Sequence, residues 1–207
     1  MKYSLSDLFI GVVDIFVIFL PGGLLIAVLL HGFPELKVNT AIPGDEAGKW
    51  LLFLALSFIL GHFISMAGAA LEDWEWQKKG IVSAKDDVSP ELREEAGSIV
   101  KEAIPPRLVE EENVRRWAAV LLRKDEQSRR VVERIDADRR FFRNFRVLMV
   151  FSFILFLIPA DGSSIKRAFL VAGSLLFLVL AHLRYRGQDK KFTKTVFETI
   201  VANRPAK

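Results

Sequence analysis

Residues 8–30 read LFIGVVDIFVIFLPGGLLIAVLL, and residues 50–71 read WLLFLALSFILGHFISMAGAAL. Each stretch is almost unbroken in apolar side chains and long enough to cross a bilayer as a helix, which takes about 20 residues. They set the expected fold class: all-α and polytopic, in a membrane. The chain of 207 residues is 51% hydrophobic, with 17 Phe and no Cys. The missing cysteines exclude a secreted disulfide scaffold, and the apolar content excludes a disordered chain.

The first stretch is too long for the apolar part of a secretion signal, which spans about 7–15 residues and ends at a small-residue cleavage site. Asp14 lies inside it, and it ends in Leu29-Leu30-His31. It therefore reads as a retained transmembrane helix, broken or kinked at Pro21-Gly22-Gly23, where proline removes a helical hydrogen bond and glycine lets another backbone come close. The second span is followed by Trp74 and Trp76, residue types that anchor at membrane interfaces.

Two further apolar runs cover about 145–160 and 168–183. At 1.5 Å per residue a run of this length covers roughly 24 Å of a ~30 Å hydrocarbon core, a deficit that snorkelling cations and local thinning can absorb. Four crossings are expected; a re-entrant hairpin turning at Pro159-Ala160-Asp161-Gly162 is the competing reading. In both cases the two ends of the hairpin return to one side.

Charge orients the chain. Residues 72–146 hold 17 Lys/Arg and residues 184–207 hold seven, whereas 31–49 and 161–167 hold two each. The positive-inside rule counts Lys/Arg near membrane ends and gives acids little weight. The expected plan is thus spans 1 and 2 within 1–71, a cytoplasmic helical segment over 72–144, spans 3 and 4 within 145–183, and a basic cytoplasmic tail over 184–207. Both termini are expected in the cytoplasm.

Within the cytoplasmic segment, Ser89-Pro90-Glu91 predicts a helix start, with serine as the cap and proline in the first turn, and the helix should stop before Pro105-Pro106. Val114, Trp117, Ala118, Leu121 and Leu122 recur at helical spacing and predict a second, amphipathic helix. A third, from about 127, should run into span 3 without a break. Arg139, Arg140, Arg143 and Arg146 are expected at anionic lipid headgroups, which attract juxtamembrane cations. Asp125, Glu126, Glu133, Asp136 and Asp138 interleave with the basic residues and argue against a nucleic-acid partner.

No sequence signature of chemistry is present. Gly44 to Lys49 has three residues between its glycines and Trp50 after the lysine, whereas a phosphate-binding loop needs four residues and a hydroxyl side chain. There is no catalytic residue to nominate, no metal site among His31, His62 and His182, and no expected cofactor. Polar groups within the first two spans are the remaining candidates. Asp14 lies roughly 9 Å and His62 roughly 13–14 Å from the inner ends of their helices, with Ser65 level with Asp14. Asp14, His62 and Ser65 form either a structural clasp, a proton or ion pathway, or a headgroup site, since ionisable residues inside a membrane face the bundle interior. Ser57, Gly61, Ser65 and Ala69 recur at spacing four and form a small-residue packing stripe, the kind of surface on which helices approach closely. With Pro21, Gly22 and Gly23 they are the expected helix-packing residues, within one chain or between copies of a homo-oligomer.

Leu20-Pro21-Gly22 in the first span, Gly61-His62 with Gly68 and Glu72 in the second, and Arg143-Asn144-Phe145-Arg146 before the third resemble a group of uncharacterised bacterial four-span inner-membrane proteins. The resemblance implies the same location and layout, and supplies no established activity or catalytic residue. Some small proteins of comparable layout act as membrane-perturbing partners of antiviral systems, an analogy of architecture alone. The leading expectation is a non-enzymatic scaffold or effector, oligomeric, whose cytoplasmic helices receive a partner or signal. A small channel or transporter using Asp14 and His62, and a membrane enzyme acting on a lipid-linked substrate with Asp14, His62 and Glu72 near the inner leaflet, are the alternatives.

Overall fold

The computed structural model describes residues 5–32, 46–79, 88–105, 114–158 and 164–203. Every element among them is a helix: α1 (Leu5–Gly32), α2 (Glu46–Lys79), α3 (Pro90–Ala103), α4 (Val114–Leu122), α5 (Glu126–Leu157) and α6 (Ser164–Ala202). The expected turn at 159–162 lies outside the described residues, and so do the side chains of Asp14 and Trp76.

The chain forms two compact units. One comprises residues 1–10, 73–139 and 186–207; the other comprises 11–72 and 140–185. Both α5 and α6 supply residues to each unit.

In the first unit, local signals set the helix ends. The Ser89 hydroxyl accepts the Leu92 amide at 3.3 Å at the start of α3, Pro90 opens its first turn, and the chain leaves the helix at Ile104. Asp125 caps α5, its carboxylate accepting the Ser128 amide at 2.8 Å. Apolar positions at helical spacing then form one core: Ala96 and Val100 of α3, Val114, Ala118 and Leu122 of α4, and Val132 of α5. The expected basic tail contributes to it as well. Residues 184–202 continue α6, and Phe192, Val196, Phe197 and Ile200 are buried in that core. Their spacing of four, one and three keeps them on one face, while Lys194 between them is exposed. Arg139, expected at lipid headgroups, instead pairs with Asp136 at 2.9 Å and with Asp189 at 3.4 Å, and its guanidinium lies over the Phe192 ring.

The second unit has the opposite surface. Trp50, Leu51, Phe63 and Met66 of α2, and Phe169, Leu176, Phe177 and Leu183 of α6, are exposed, Phe169 by 75%. α2, over Glu46–Glu75, and α6, over Arg167–Ala202, are long and apolar enough to cross a membrane. The described apolar part of α1, Ile15–His31, is shorter, and the apolar part of α5 begins only after Arg146. Two of the four expected crossings therefore meet the length and composition needed. α1 runs as one helix through Pro21 rather than breaking there.

Candidate functional site

The second unit is built around a seam of glycines. A side-chain carbon at Gly22 of α1 would overlap the Ser57 carbonyl oxygen of α2 and come within 2.7 Å of the Gly61 nitrogen; one at Gly61 would overlap the Ile18 carbonyl oxygen. The two backbones touch, which only glycine permits. Gly23 sits beside the Phe53 ring and the Ser57 hydroxyl, each 3.4 Å from where its Cβ would lie. The seam then departs from the expected stripe. Among the described side chains of α2, Ser57, Gly61, Ile64, Gly68 and Glu72 are the buried positions, whereas Ser65 and Ala69 are half-buried beside them. A strict spacing of four drifts around a helix of 3.6 residues per turn, so the contact line takes a step of three at Ile64 to stay on α1 and α5.

At the end of this seam, a four-residue segment of α5 reaches each of the other three helices. Arg143 donates from Nη1 to Glu72 Oε2 of α2 at 2.9 Å, with both side chains only 10% exposed. Asn144, fully buried, donates from Nδ2 to the Val17 carbonyl of α1 at 3.2 Å. Arg146, 3% exposed, contacts His182 Nδ1 of α6 at 3.2 Å, and its guanidinium lies over the Tyr185 ring at 4.7 Å. Since arginine has donors only, His182 must accept at Nδ1 and carry its proton on Nε2. Arg143 and Arg146, expected at headgroups, are thus buried in contacts within the unit; the methylene stems that would let them snorkel are packed, and their charges meet protein partners.

The contact between Asn144 and Val17 follows from the proline in α1. In a helix the Val17 carbonyl accepts the amide of residue 21, and Pro21 has none. The orphaned acceptor is satisfied from another helix, which is how prolines are accommodated in apolar surroundings. Gly68 completes the site by omission. Its Cβ position is 3.2 Å from both Arg143 Nε and Asn144 Oδ1, so a side chain there would press on the clasp. Three hydroxyls in the apolar helices need no such partner: Ser57, Ser152 and Ser174 each donate to the carbonyl four residues back, at 2.7, 2.9 and 2.8 Å.

The residues nominated as polar candidates are placed differently. His62 is exposed and packs edge-on against Phe58, with ring centroids 4.4 Å apart, and Phe58 in turn meets Phe19. It lies off the buried face of α2, so the bundle-interior position expected for it is not the one it takes. Trp74 is exposed and Arg140 half-buried. Asn144, His182 and Tyr185 were given no role by the sequence reading. Among the described residues, no group of three His, Cys, Asp or Glu side chains could hold a metal ion.

Compared with protein-family models, curated proteins and solved structures, the chain matches none of them. Pro21, Gly22, Gly61, Gly68, Glu72 and the segment 143–146, far apart in sequence, form the seam and the clasp.

Proposed function

We propose that the protein is a non-enzymatic integral membrane scaffold or effector of a bacterial inner membrane. In this reading it makes four crossings, has both termini in the cytoplasm, and assembles as a homo-oligomer. The apolar unit lies in the bilayer, and the helices of the other unit receive a partner or a signal. The observation that carries this reading is the use of polar groups in the apolar unit. Glu72, Arg143, Asn144 and Arg146 bind helix to helix, and the serines are closed onto their own backbones. Such contacts hold a fixed bundle. The exposed apolar side chains of α2 and α6 support lipid as the surrounding solvent, since a soluble chain rarely leaves so large an apolar surface uncovered. A pathway through His62 gains no support from its exposed place beside Phe58.

The chain has no native cysteine, so topology is directly testable. In sealed cells, Asn39→Cys and Ser163→Cys should react with an impermeant thiol reagent, and Ser98→Cys and Thr195→Cys only after lysis. Labelling of the last two in intact cells would overturn the orientation. Ion or proton flux in vesicles, abolished by Asp14→Asn, would replace the scaffold with a channel.

A further inference from the structure

Between Leu51 and Leu71 the apolar stretch of α2 carries three polar side chains, Ser57, His62 and Ser65. Ser57 is buried and closed onto the Phe53 carbonyl, and Ser65 is half-buried. His62 alone is exposed, and among the described residues its imidazole meets the Phe58 ring and makes no hydrogen bond. It is also far from either end of the stretch, with about 20 Å of helix between it and Lys49 and about 15 Å between it and Glu72. A short imidazole does not reach headgroup water from that depth, and hydrocarbon offers it neither a donor nor an acceptor. His62 belongs to a line. Leu51, Ala55, Phe58, His62, Ser65 and Ala69 follow one another at steps of four, three, four, three and four, the repeat by which two helices wrap in a left-handed supercoil. The first four are exposed and the last two half-buried. At 100° per residue this line lies about 100° around α2 from the line of Ser57, Gly61, Ile64 and Gly68 that packs within the chain. Ala55, Ser65 and Ala69 are small enough to let a second backbone approach it.

Resting on the membrane reading above, we infer that this line of α2 is the seam between two copies of the chain, joined at its centre by a hydrogen bond between the two His62 side chains. Chemistry and symmetry identify the occupant. A neutral imidazole holds one N–H donor and one bare nitrogen acceptor, so it is complementary to a second imidazole. Copies inserted with one topology run parallel, and a twofold axis along the membrane normal sets each residue of the line beside its own counterpart. On such a parallel seam, a single polar residue fixes the register and the number of helices. It also supplies the interhelical hydrogen bond that a purely apolar face lacks.

Disulfide scanning of the full chain in its membrane tests the seam, because no native cysteine interferes. Oxidation by copper phenanthroline should link Leu51→Cys, Ala55→Cys and Ser65→Cys into dimers, all of which keep His62. It should not link Leu56→Cys or Phe63→Cys, exposed positions about 130° around the helix from the line. Linking at all five positions, or at Leu56 and Phe63 alone, overturns the seam. So does linking at none of them while the wild-type protein stays in membranes washed with alkaline carbonate; release by that wash overturns the membrane reading, and the inference with it. Energy transfer in liposomes between chains labelled at Ser98→Cys isolates the imidazole. His62→Leu should weaken association about threefold to twentyfold, and His62→Asn, which keeps a donor and an acceptor, should retain it. Unchanged association in His62→Leu, or an equal loss in His62→Asn, overturns the hydrogen bond between copies. In dilute micelles, where copies are apart, His62→Leu should leave unfolding unchanged, which shows that the variant folds and confines its effect to association.

Discussion

Replacing Glu72 by methionine should destabilise the apolar unit far more than replacing both Glu72 and Arg143. The Arg143–Glu72 pair joins α5 to α2 at 2.9 Å with both side chains 10% exposed. Taking one member from a buried pair costs about 3–5 kcal/mol, because the charge left behind has lost its solvent and its partner; replacing both by apolar groups of similar volume is often neutral. The two single variants should also differ. After Arg143→Met, Glu72 can be neutralised by a proton, whereas after Glu72→Met the Arg143 guanidinium cannot shed its charge. The expected order of cost is Glu72→Met, then Arg143→Met, then the double variant within about 1–2 kcal/mol of wild type. Reversible unfolding in mixed micelles, followed by the fluorescence of the four tryptophans, gives all three values. A double variant whose loss equals the sum of the singles would show that the two residues do not act on each other.

Gly22→Ala and Gly61→Ala should each cost at least about 1–3 kcal/mol, since the added methyl overlaps backbone of the facing helix; Ser65→Leu, off the buried line, should be milder than either in the same assay. Gly97→Ala and Gly173→Ala, where nothing lies within 4 Å of the new methyl, should leave stability unchanged or raise it by up to about 1 kcal/mol. His62→Leu should change stability by less than about 0.5 kcal/mol, as at other exposed positions. At the start of α5, hydrogen bonds from the Ser128 side chain and backbone hold the Asp125 carboxyl below its ordinary 3.8. That cap therefore stabilises the fold above pH 4 and is lost as the pH falls through the lowered value, so the difference in unfolding midpoint between wild type and Asp125→Ala should shrink on acidification below pH 4.

Local signals in the sequence proved readable, and pairings between distant segments did not. Ser89-Pro90 marks the start of α3 because capping chemistry involves neighbours only, and the 114–122 stripe shows its buried face through spacing alone. The unbroken course of α5 into its apolar part was legible in the same way. The stripe from Phe192 to Ile200 that enters the core went unnoticed because Lys190, Lys191 and Lys194 dominate the composition of the tail. For Arg143 and Arg146, charge beside an apolar run has two outcomes, snorkelling or burial with a partner, and the partners lie 71 and 36 residues away. The small-residue stripe was half right in position: Ser57 and Gly61 pack, and helical drift moves the line off Ser65 and Ala69. Asn144 was within reach, because Pro21 in a span demands an outside donor for the Val17 carbonyl, although which residue supplies it cannot be read from spacing.

That donor offers the most direct test of the clasp. Asn144→Leu leaves the Val17 carbonyl without a hydrogen-bond donor in an apolar surrounding, a loss of about 1–3 kcal/mol. With Pro21→Ala, the backbone amide at position 21 returns to that carbonyl, and Asn144 becomes dispensable as its donor. The four unfolding free energies of the cycle between Pro21→Ala and Asn144→Leu are the measurement. The cost of Asn144→Leu should fall by about 1 kcal/mol or more in the Pro21→Ala background. An equal cost in both backgrounds would contradict the assignment of segment 143–146 as the element that completes α1 and holds the four helices together.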